Sequence, residues 1–235
     1  MVEAGLPEAE AKKRFVVCTS KGALGAADGV KGDPNHKRGL TVLTQDWVNE
    51  GVSDGLTILE AVEQFKPNIL LGLSTTPNIF NEEVCKSMAR INARPIIMPM
   101  SNPTSKSEAA PADVYKWTEG RAVVATGSPY DPVQMQDGRV FIPSQCNNMY
   151  IFPGIGLAAS VGGVTHITDK MLYTAAQACT DSMLPSEIAE GRTFPSLSRI
   201  REVNKNVAVA VIEEAVRCDM ATKIGKRQVC ILLFI

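Results

Sequence analysis

The 235-residue sequence lacks both a long hydrophobic run and an excess of either charge. A membrane-spanning helix needs roughly 18 or more consecutive apolar residues. The best candidate, residues 151–164, is shorter and is interrupted by Pro153 and several glycines. The 24 basic and 25 acidic residues leave a net charge of −1, which argues against a strongly basic nucleic-acid surface. We therefore expect a protein that binds neither membranes nor nucleic acid.

Cysteine pairs and a leader segment are also missing. None of the six cysteines forms a Cys-x-x-Cys pair, and most lie in apolar stretches, which favours reduced thiols over disulfides or zinc ligands. The N-terminus does not begin with basic residues followed by an apolar stretch, so no secretory signal is visible. We expect an intracellular protein, with the cytoplasm favoured and a mitochondrion or plastid left open.

Histidine is scarce, which limits the kinds of active site to consider. The two histidines, His36 and His166, are far apart and have no metal-ligand spacing, and no local Ser-His-Asp motif is present. The acidic pairs Glu60/Glu63 and Glu82/Glu83 fall on helical patterns, which favours solvated faces over metal ligands. From the residues alone we expect no catalytic or metal-binding side chain in this chain.

What the sequence does contain is a strand–helix alternation. Continuous apolar runs predict strands at residues 15–19, 68–73, 95–100 and 122–125. Helical patterns cover residues 7–14, 58–65, 82–91, 112–118, 169–183 and 203–217, with Asn81 and Thr168 as N-caps. Residues 21–39 are glycine-rich and charged, as in a loop. Apolar strands between helices indicate an α/β fold with a parallel sheet covered on both faces, followed by a helical C-terminal portion.

Polar segments follow four of these strands. They are Thr19-Ser20-Lys21, Ser74-Thr75-Thr76, Ser101-Asn102 and Thr126-Gly127-Ser128. Each alone is compatible with an ordinary turn. Ligands bind outside the carboxyl ends of the strands in open parallel sheets, so the four together predict a binding crevice.

Two asparagine sites sharpen that prediction. Asn102 lies between a strand and Pro103, and the segment Gln145-Cys-Asn-Asn148 follows an apolar run. A carboxamide offers a donor and an acceptor together, which suits a carboxylate, a hydroxyl or a nicotinamide amide. The alternative, a polar turn satisfied by the backbone, stays open.

Several ordered motifs together resemble one family over nearly the whole chain. They are Ser101-Asn-Pro-Thr104 with Glu108, Glu119-Gly-Arg121, Thr126-Gly-Ser-Pro129, Gly138-Arg-Val-Phe141, Gln145-x-Asn-Asn-x-Tyr-Ile-Phe-Pro-Gly154, Gly191-Arg192, Pro195 and Met220-Ala221. This set resembles the C-terminal, cofactor-binding part of the malic enzymes, with the related malolactic enzymes as an alternative. The resemblance implies a Rossmann-type sheet and oxidative decarboxylation of L-malate to pyruvate and CO2 with NADP or NAD.

The resemblance also assigns roles to individual residues. It implies that Asn102 and Asn148 contact malate and the nicotinamide end, with Asn147 a weaker cofactor-binding candidate. It places Ser74 and Thr75 against the dinucleotide, where the family usually has small residues and glycines. Cys146 is a second departure, because the family has glycine there.

Residues at the end of the second strand of the fold indicate which dinucleotide is preferred. Thr19 and Ser20 lie where NAD-binding sites carry an acid for the adenosine ribose, and no acid is present. The basic run His36-Lys37-Arg38 follows, with Lys37 near the position of a lysine in NADP-preferring relatives. These residues favour NADP, with NAD still possible and a solvated loop as the alternative.

The same resemblance shows what the chain does not contain. It lacks the glycine-rich turn after the first Rossmann strand, so we expect an incomplete Rossmann-type sheet. The family's lysine base, tyrosine acid and acidic ligands for Mg²⁺ or Mn²⁺ all lie upstream. We assign residues 1–222 to an NAD(P)-binding domain truncated on its N-terminal side, and no function to the tail at 223–235. We expect little or no activity from the chain alone and a homo-oligomer for the intact enzyme. A non-catalytic remnant that binds a nucleotide or a partner is the alternative.

Overall fold

The computed structural model describes residues 1–26 and 48–224, and the chain divides into two compact units. The first comprises Met1–Val124 and the second Ala125–Ile235. Within the described ranges, no helix is both long and apolar enough to cross a membrane. The basic run around Lys37 lies outside the described residues.

The elements alternate between strands and helices in the α/β pattern expected from the sequence. The strands are β1 Cys18–Thr19, β2 Gly22–Ala23, β3 Gly25–Ala26, β4 Asn49–Ser53, β5 Ile69–Gly72, β6 Ile96–Pro99, β7 Val123–Thr126, β8 Val133–Gln134, β9 Val140–Phe141 and β10 Ser144–Gln145. The helices are α1 Glu8–Lys12, α2 Ile58–Phe65, α3 Glu82–Ile91, α4 Pro111–Trp117, α5 Phe152–Gly162, α6 Asp169–Asp181, α7 Pro185–Ala189 and α8 Ile200–Arg217.

A four-stranded parallel sheet confirms the predicted fold class. In the first unit β5 pairs with β6 and β6 pairs with the start of β7, with Ile69 opposite Ile96 and Ile97 opposite Val124. In the second unit the end of β7 pairs with β10, with Ala125 opposite Ser144. The carboxyl ends of parallel strands share one edge, so the loops after β5 and β6 leave the sheet at the same end.

Helix caps predicted from the sequence fix the starts of two helices. The Asn81 side chain accepts a hydrogen bond from the backbone N–H of Val84, and α3 begins at the next residue, Glu82. Thr168 accepts from the backbone N–H of Met171 at the start of α6. Both N-caps are confirmed, because each side chain satisfies a donor that the first helical turn leaves unpaired.

The core of the second unit is formed by α5, α6 and α8. Met171 and Ala175 of α6 and Val207 and Val211 of α8 are fully buried in it. The glycine-rich α5 was not predicted as a helix. It packs closely on α8, since a Cβ at Gly154 would lie 2.6 Å from the Val207 Cγ1 atom. Small residues there allow close helix packing that a periodicity argument does not detect.

The predicted strand at residues 15–19 is confirmed only in part. Only Cys18–Thr19 is extended, and it pairs antiparallel with Gly22–Ala23 as a hairpin outside the parallel sheet. Gly22 has a φ of +107°, which favours glycine, and the Thr19 hydroxyl donates to its carbonyl at 3.3 Å. This tight turn ends the apolar run. The predicted loop at residues 21–39 therefore includes short strands at its start.

Candidate functional site

In the first unit, the turn after β5 directs its backbone N–H groups inward. The N–H of Ser74 donates to a Glu108 carboxylate oxygen at 2.9 Å, and that of Thr75 donates to the Ser101 hydroxyl at 2.9 Å. The N–H of Thr76 donates to the Ser74 hydroxyl at 3.2 Å. Phosphate-binding loops need free N–H groups. The exposed hydroxyls of Thr75 and Thr76 donate to the Ser74 carbonyl at 2.7 and 3.4 Å, so this turn offers a ligand the acceptor lone pairs of these hydroxyls.

The centre of this network is the carboxylate of Glu108, which is fully buried. Besides the Ser74 N–H, it accepts the Ser74 hydroxyl at 3.1 Å and the Ser101 hydroxyl at 2.6 Å. The Ser101 N–H donates to its other oxygen at 3.3 Å. Burial raises the pKa of Glu108, but the donated hydrogen bonds outweigh it and the pKa lies below its usual value. The group is therefore an ionised carboxylate at neutral pH.

Asn102 follows Ser101 at the carboxyl end of β6. Its side chain is exposed, and its peptide bond to Pro103 is cis. Ser101 itself is buried, and its hydroxyl donates to Glu108. The sequence-predicted residues Ser74, Thr75 and Asn102 thus lie on two neighbouring loops held by a single buried carboxylate.

In the second unit, two carboxamides converge on the carbonyl oxygen of Gly127 in the loop after β7. The side-chain nitrogen of Gln145 donates to it at 3.1 Å and that of Asn147 at 3.5 Å. The Asn147 carboxamide oxygen accepts the N–H of Met149 at 3.0 Å and caps the short 3₁₀ turn Asn148–Tyr150. Asn147 therefore uses both ends of its amide to organise this loop.

Asn148 differs from its neighbour. Its side chain is exposed and makes no hydrogen bond to any other residue in the described part of the chain. Both its donor and its acceptor are thus available to a ligand. Of the two adjacent asparagines, Asn148 is the better placed to bind one.

Cys146 lies between these amide-bearing residues. Its backbone N–H donates to the Thr126 carbonyl at 2.8 Å, which continues the pairing of β10 with β7. Burial raises the pKa of its thiol. The side chain is consequently a neutral thiol at pH 7, with no sign of an activated nucleophile.

The remaining predicted residues are separate from these loops in the structure. Thr19 and the exposed Ser20 belong to the β1–β2 hairpin, where the Thr19 hydroxyl also accepts the N–H of Lys21 at 3.1 Å. Lys37 falls outside the described residues. The hairpin does not belong to the four-stranded sheet, so Thr19 and Ser20 do not follow one of its strands as the sequence suggested.

Sequence reasoning gave Glu108 no role, although it is the residue that organises the first-unit loops. The available signal was an acidic residue directly before Ala109-Ala110 and shortly after the polar segment Ser101-Asn102. Another buried carboxylate, Glu187, organises the second unit by accepting the backbone N–H groups of Leu184 and Ser196, each at 2.8 Å.

The described residues contain no metal-binding cluster, but they form a cavity in the second unit. In the ranges 1–26 and 48–224, no three His, Cys, Asp or Glu side chains form a group that could hold a metal ion. A cavity of about 190 Å³ in the second unit is lined by residues such as Tyr130, Pro143, Tyr150 and Arg192. Because Gln145 and Tyr150 line it, the cavity adjoins the asparagine loop, although neither Asn147 nor Asn148 is among its lining residues.

Comparison with known proteins gives a consistent result over almost the whole chain. A family model described as "Malic enzyme, NAD binding domain" matches residues 1–216. The NAD-dependent malic enzyme of Pectobacterium atrosepticum is 43% identical over 214 residues, which are 90% of this chain and 37% of that protein. The NADP-dependent malic enzyme of Dictyostelium discoideum is 40% identical over 220 residues, 93% of this chain and 39% of that protein.

A solved structure agrees with these sequence matches. The crystal structure of malic enzyme from Pyrococcus horikoshii Ot3 superposes with a TM-score of 0.57 at 26% identity. The match covers 80% of this chain and 39% of that one. The chain thus spans about two fifths of the length of the relatives that it matches.

Proposed function

Because the chain belongs to the malic enzyme family and matches its NAD-binding domain, we propose that it binds a nicotinamide dinucleotide through the loops that follow its parallel strands. The observation that carries this proposal is the pair of loops after β5 and β6. They bring exposed hydroxyl and amide side chains, those of Ser74, Thr75 and Asn102, to one end of the sheet. Open parallel sheets bind their ligands at that end.

The chemistry of the turn after β5 indicates which part of a dinucleotide suits it. The N–H groups of Ser74, Thr75 and Thr76 are occupied within the protein, and an ionised carboxylate lies beneath them. A phosphate bound there would find none of these three N–H groups free, and the carboxylate would repel its negative charge. We propose that these loops bind uncharged hydroxyl or amide groups of the dinucleotide instead.

For the intact enzyme we propose oxidative decarboxylation of L-malate to pyruvate and CO2. A nicotinamide dinucleotide, when bound, would supply the hydride acceptor for this reaction. In the first unit we propose Asn102 as a ligand of malate or of the nicotinamide amide. In the second unit we propose the same role for Asn148, because its amide has no partner among the described residues. Asn147 supports its loop and is the weaker cofactor ligand.

The metal ion of the intact enzyme, Mg²⁺ or Mn²⁺ by family resemblance, does not fit the residues described here. They contain no group of His, Cys, Asp or Glu suited to hold it, and we derive no step through it. We expect weak or no turnover of malate by the chain alone, which an assay of metal-dependent NADPH formation checks. A homo-oligomer of the intact enzyme and a domain boundary at residue 222 remain predictions.

We propose NADP as the preferred dinucleotide, with NAD as the alternative. The support is the basic run at Lys37 and the absence of an acid beside Thr19 and Ser20, for which we propose contact with the adenosine ribose. The matched relatives include both NAD- and NADP-dependent enzymes, so relatedness does not decide between them.

Calorimetric titration of the purified chain with NADP and NAD tests this proposal. We expect saturable binding of NADP, weakened about tenfold by Lys37→Ala through loss of one charge-assisted contact. Lys13→Ala is the control, since it removes the same charge from an exposed position in the first unit. Equal losses in both variants would contradict a specific 2′-phosphate contact, and no binding of either nucleotide would contradict the proposed function.

A further inference from the structure

We propose that Glu108 is a positioning residue that holds the two ligand-binding loops of the first unit, Ser74–Thr76 and Ser101–Asn102, in one fixed arrangement. The inference rests on the proposed function for its consequence on nucleotide binding. Its structural basis, the hydrogen-bond network around the carboxylate, stands independently of any ligand.

The two carboxylate oxygens of Glu108 accept different numbers of hydrogen bonds from the two loops. One oxygen accepts the Ser74 N–H, the Ser74 hydroxyl and the Ser101 hydroxyl, at 2.9, 3.1 and 2.6 Å. The other accepts the Ser101 N–H at 3.3 Å. A single oxygen therefore joins both loops, and neither loop can shift without breaking bonds to a charged group that is buried.

Each serine hydroxyl extends the hold of Glu108 by one further residue. The Ser101 hydroxyl donates to Glu108 and accepts the Thr75 N–H, while the Ser74 hydroxyl donates to Glu108 and accepts the Thr76 N–H. This fixes three consecutive residues of the turn. It also accounts for the φ of +56° at Thr75, a left-handed conformation that a β-branched residue adopts only when its surroundings impose it.

The backbone beneath the carboxylate is shaped to admit it. A Cβ at Gly72, the last residue of β5, would lie 2.5 Å from a carboxylate oxygen of Glu108. Gly72 at the end of β5 thus leaves room for the side chain of Glu108, which belongs to the segment after β6. The side chain of Glu108 reaches no solvent, so its effect on a ligand passes through the loops it holds.

The test measures amide hydrogen exchange of the nucleotide-free chain by NMR, together with nucleotide affinity by calorimetry. Glu108→Gln removes the negative charge. Its NH₂ group also lies against an N–H or O–H donor, from which it cannot accept a hydrogen bond. We expect exchange at the amides of Ser74, Thr75 and Thr76 to accelerate about tenfold. The Ser74 N–H loses a charged acceptor, and the serine hydroxyls that accept the N–H groups of Thr75 and Thr76 lose the charged group that holds them. We expect the Kd for NADP to rise at least fivefold.

Two further variants separate positioning from a general loss of stability. Glu187→Gln neutralises a second buried carboxylate that accepts backbone N–H groups and also pairs with Arg199, and we expect neither readout to change at the first-unit loops. Ser101→Ala keeps the charge of Glu108 but removes the acceptor of the Thr75 N–H. It should accelerate exchange at Thr75 more than at Thr76, which a general loosening of the fold would not do.

The outcomes distinguish this inference from the proposed function. Unchanged exchange at Ser74–Thr76 in Glu108→Gln would overturn the hold of Glu108 on the loops. Faster exchange with an unchanged Kd would overturn its role in positioning a ligand site. If the unaltered chain binds no nucleotide but the exchange pattern is as expected, the nucleotide-binding proposal fails and the hold of Glu108 on the loops is supported.

Discussion

Replacing Gly72 with alanine is expected to destabilise the protein although the substitution adds a single methyl group. The new Cβ would lie 2.5, 2.6 and 2.8 Å from the Oε2, Cδ and Cγ atoms of Glu108. Ordinary contacts begin near 3.4 Å, so the side chain must move by close to 1 Å and weaken the bonds it accepts. Overpacking costs about 1–3 kcal/mol, and a weakened hydrogen bond to a buried charge adds about 1.5 kcal/mol or more. We expect the free energy of unfolding to fall by about 3 kcal/mol.

Denaturant unfolding followed by circular dichroism measures this loss, with Gly156→Ala as the matched control. No atom lies within 4 Å of a Cβ built at Gly156, which is inside α5. Alanine is favoured over glycine in a helix by about 0.5–1 kcal/mol, so this variant should be as stable as the parent or more stable. If Gly72→Ala unfolds at the same denaturant concentration as Gly156→Ala, the close packing of Glu108 under β5 is refuted.

Further predictions concern packing, pH and thiol reactivity. Gly154→Ala should lower the unfolding free energy by about 1–3 kcal/mol, because its Cβ would lie 2.6 Å from the Val207 side chain; equal stability in thermal melts would contradict the close packing of α5 on α8. Burial raises the pKa of Glu187, but donated hydrogen bonds hold that pKa below its usual value. The stabilisation that Glu187 contributes to the fold is therefore present above about pH 4.3 and is lost as the pH falls through the folded-state pKa. Glu187→Gln should flatten that acid-side loss of stability in unfolding measured between about pH 5 and 3. Burial raises the pKa of Cys85 to about 12, so peptide mapping after alkylation at pH 8 should find it modified far more slowly than the exposed Cys218.

The parts of the fold that the sequence predicted well depend on local signals. The helices at Ile58–Phe65 and Glu82–Ile91 have the predicted bounds, since a side-chain cap marks the start of each and a polar residue follows the end. Strands β5, β6 and β7 lie within a residue or two of their predicted limits, because continuous apolar runs between turns are typical of a buried parallel sheet.

The errors arise where tertiary contacts override local pattern. Helix α5 contains proline and glycine, which disfavour a helix in isolation. Proline is tolerated in its first turn, and its glycines permit the close approach to α8. The apolar run before Cys18 reads as a strand of the main sheet, yet a turn closed by Gly22 folds it into a hairpin.

The candidate site was predictable in position but not in its internal structure. Placing polar loops after parallel strands requires only the topology, so Ser74, Thr75 and Asn102 could be chosen from sequence. The different behaviour of Asn147 and Asn148 depends on a 3₁₀ turn that occupies one amide and leaves the other exposed. The role of Glu108 depends on contacts across 34 residues to Ser74, which no local pattern reveals.

An NMR titration of the ¹⁵N-labelled chain with NADP tests most directly whether these loops bind the dinucleotide. We expect saturable shifts at the amides of Ser74–Thr76 and Ser101–Asn102 in the first unit, and at Asn147 and Asn148 in the second. Shifts that do not saturate, or that are confined to surfaces away from these loops such as the β8–β9 hairpin, would contradict the claim that the carboxyl-end loops bind the dinucleotide.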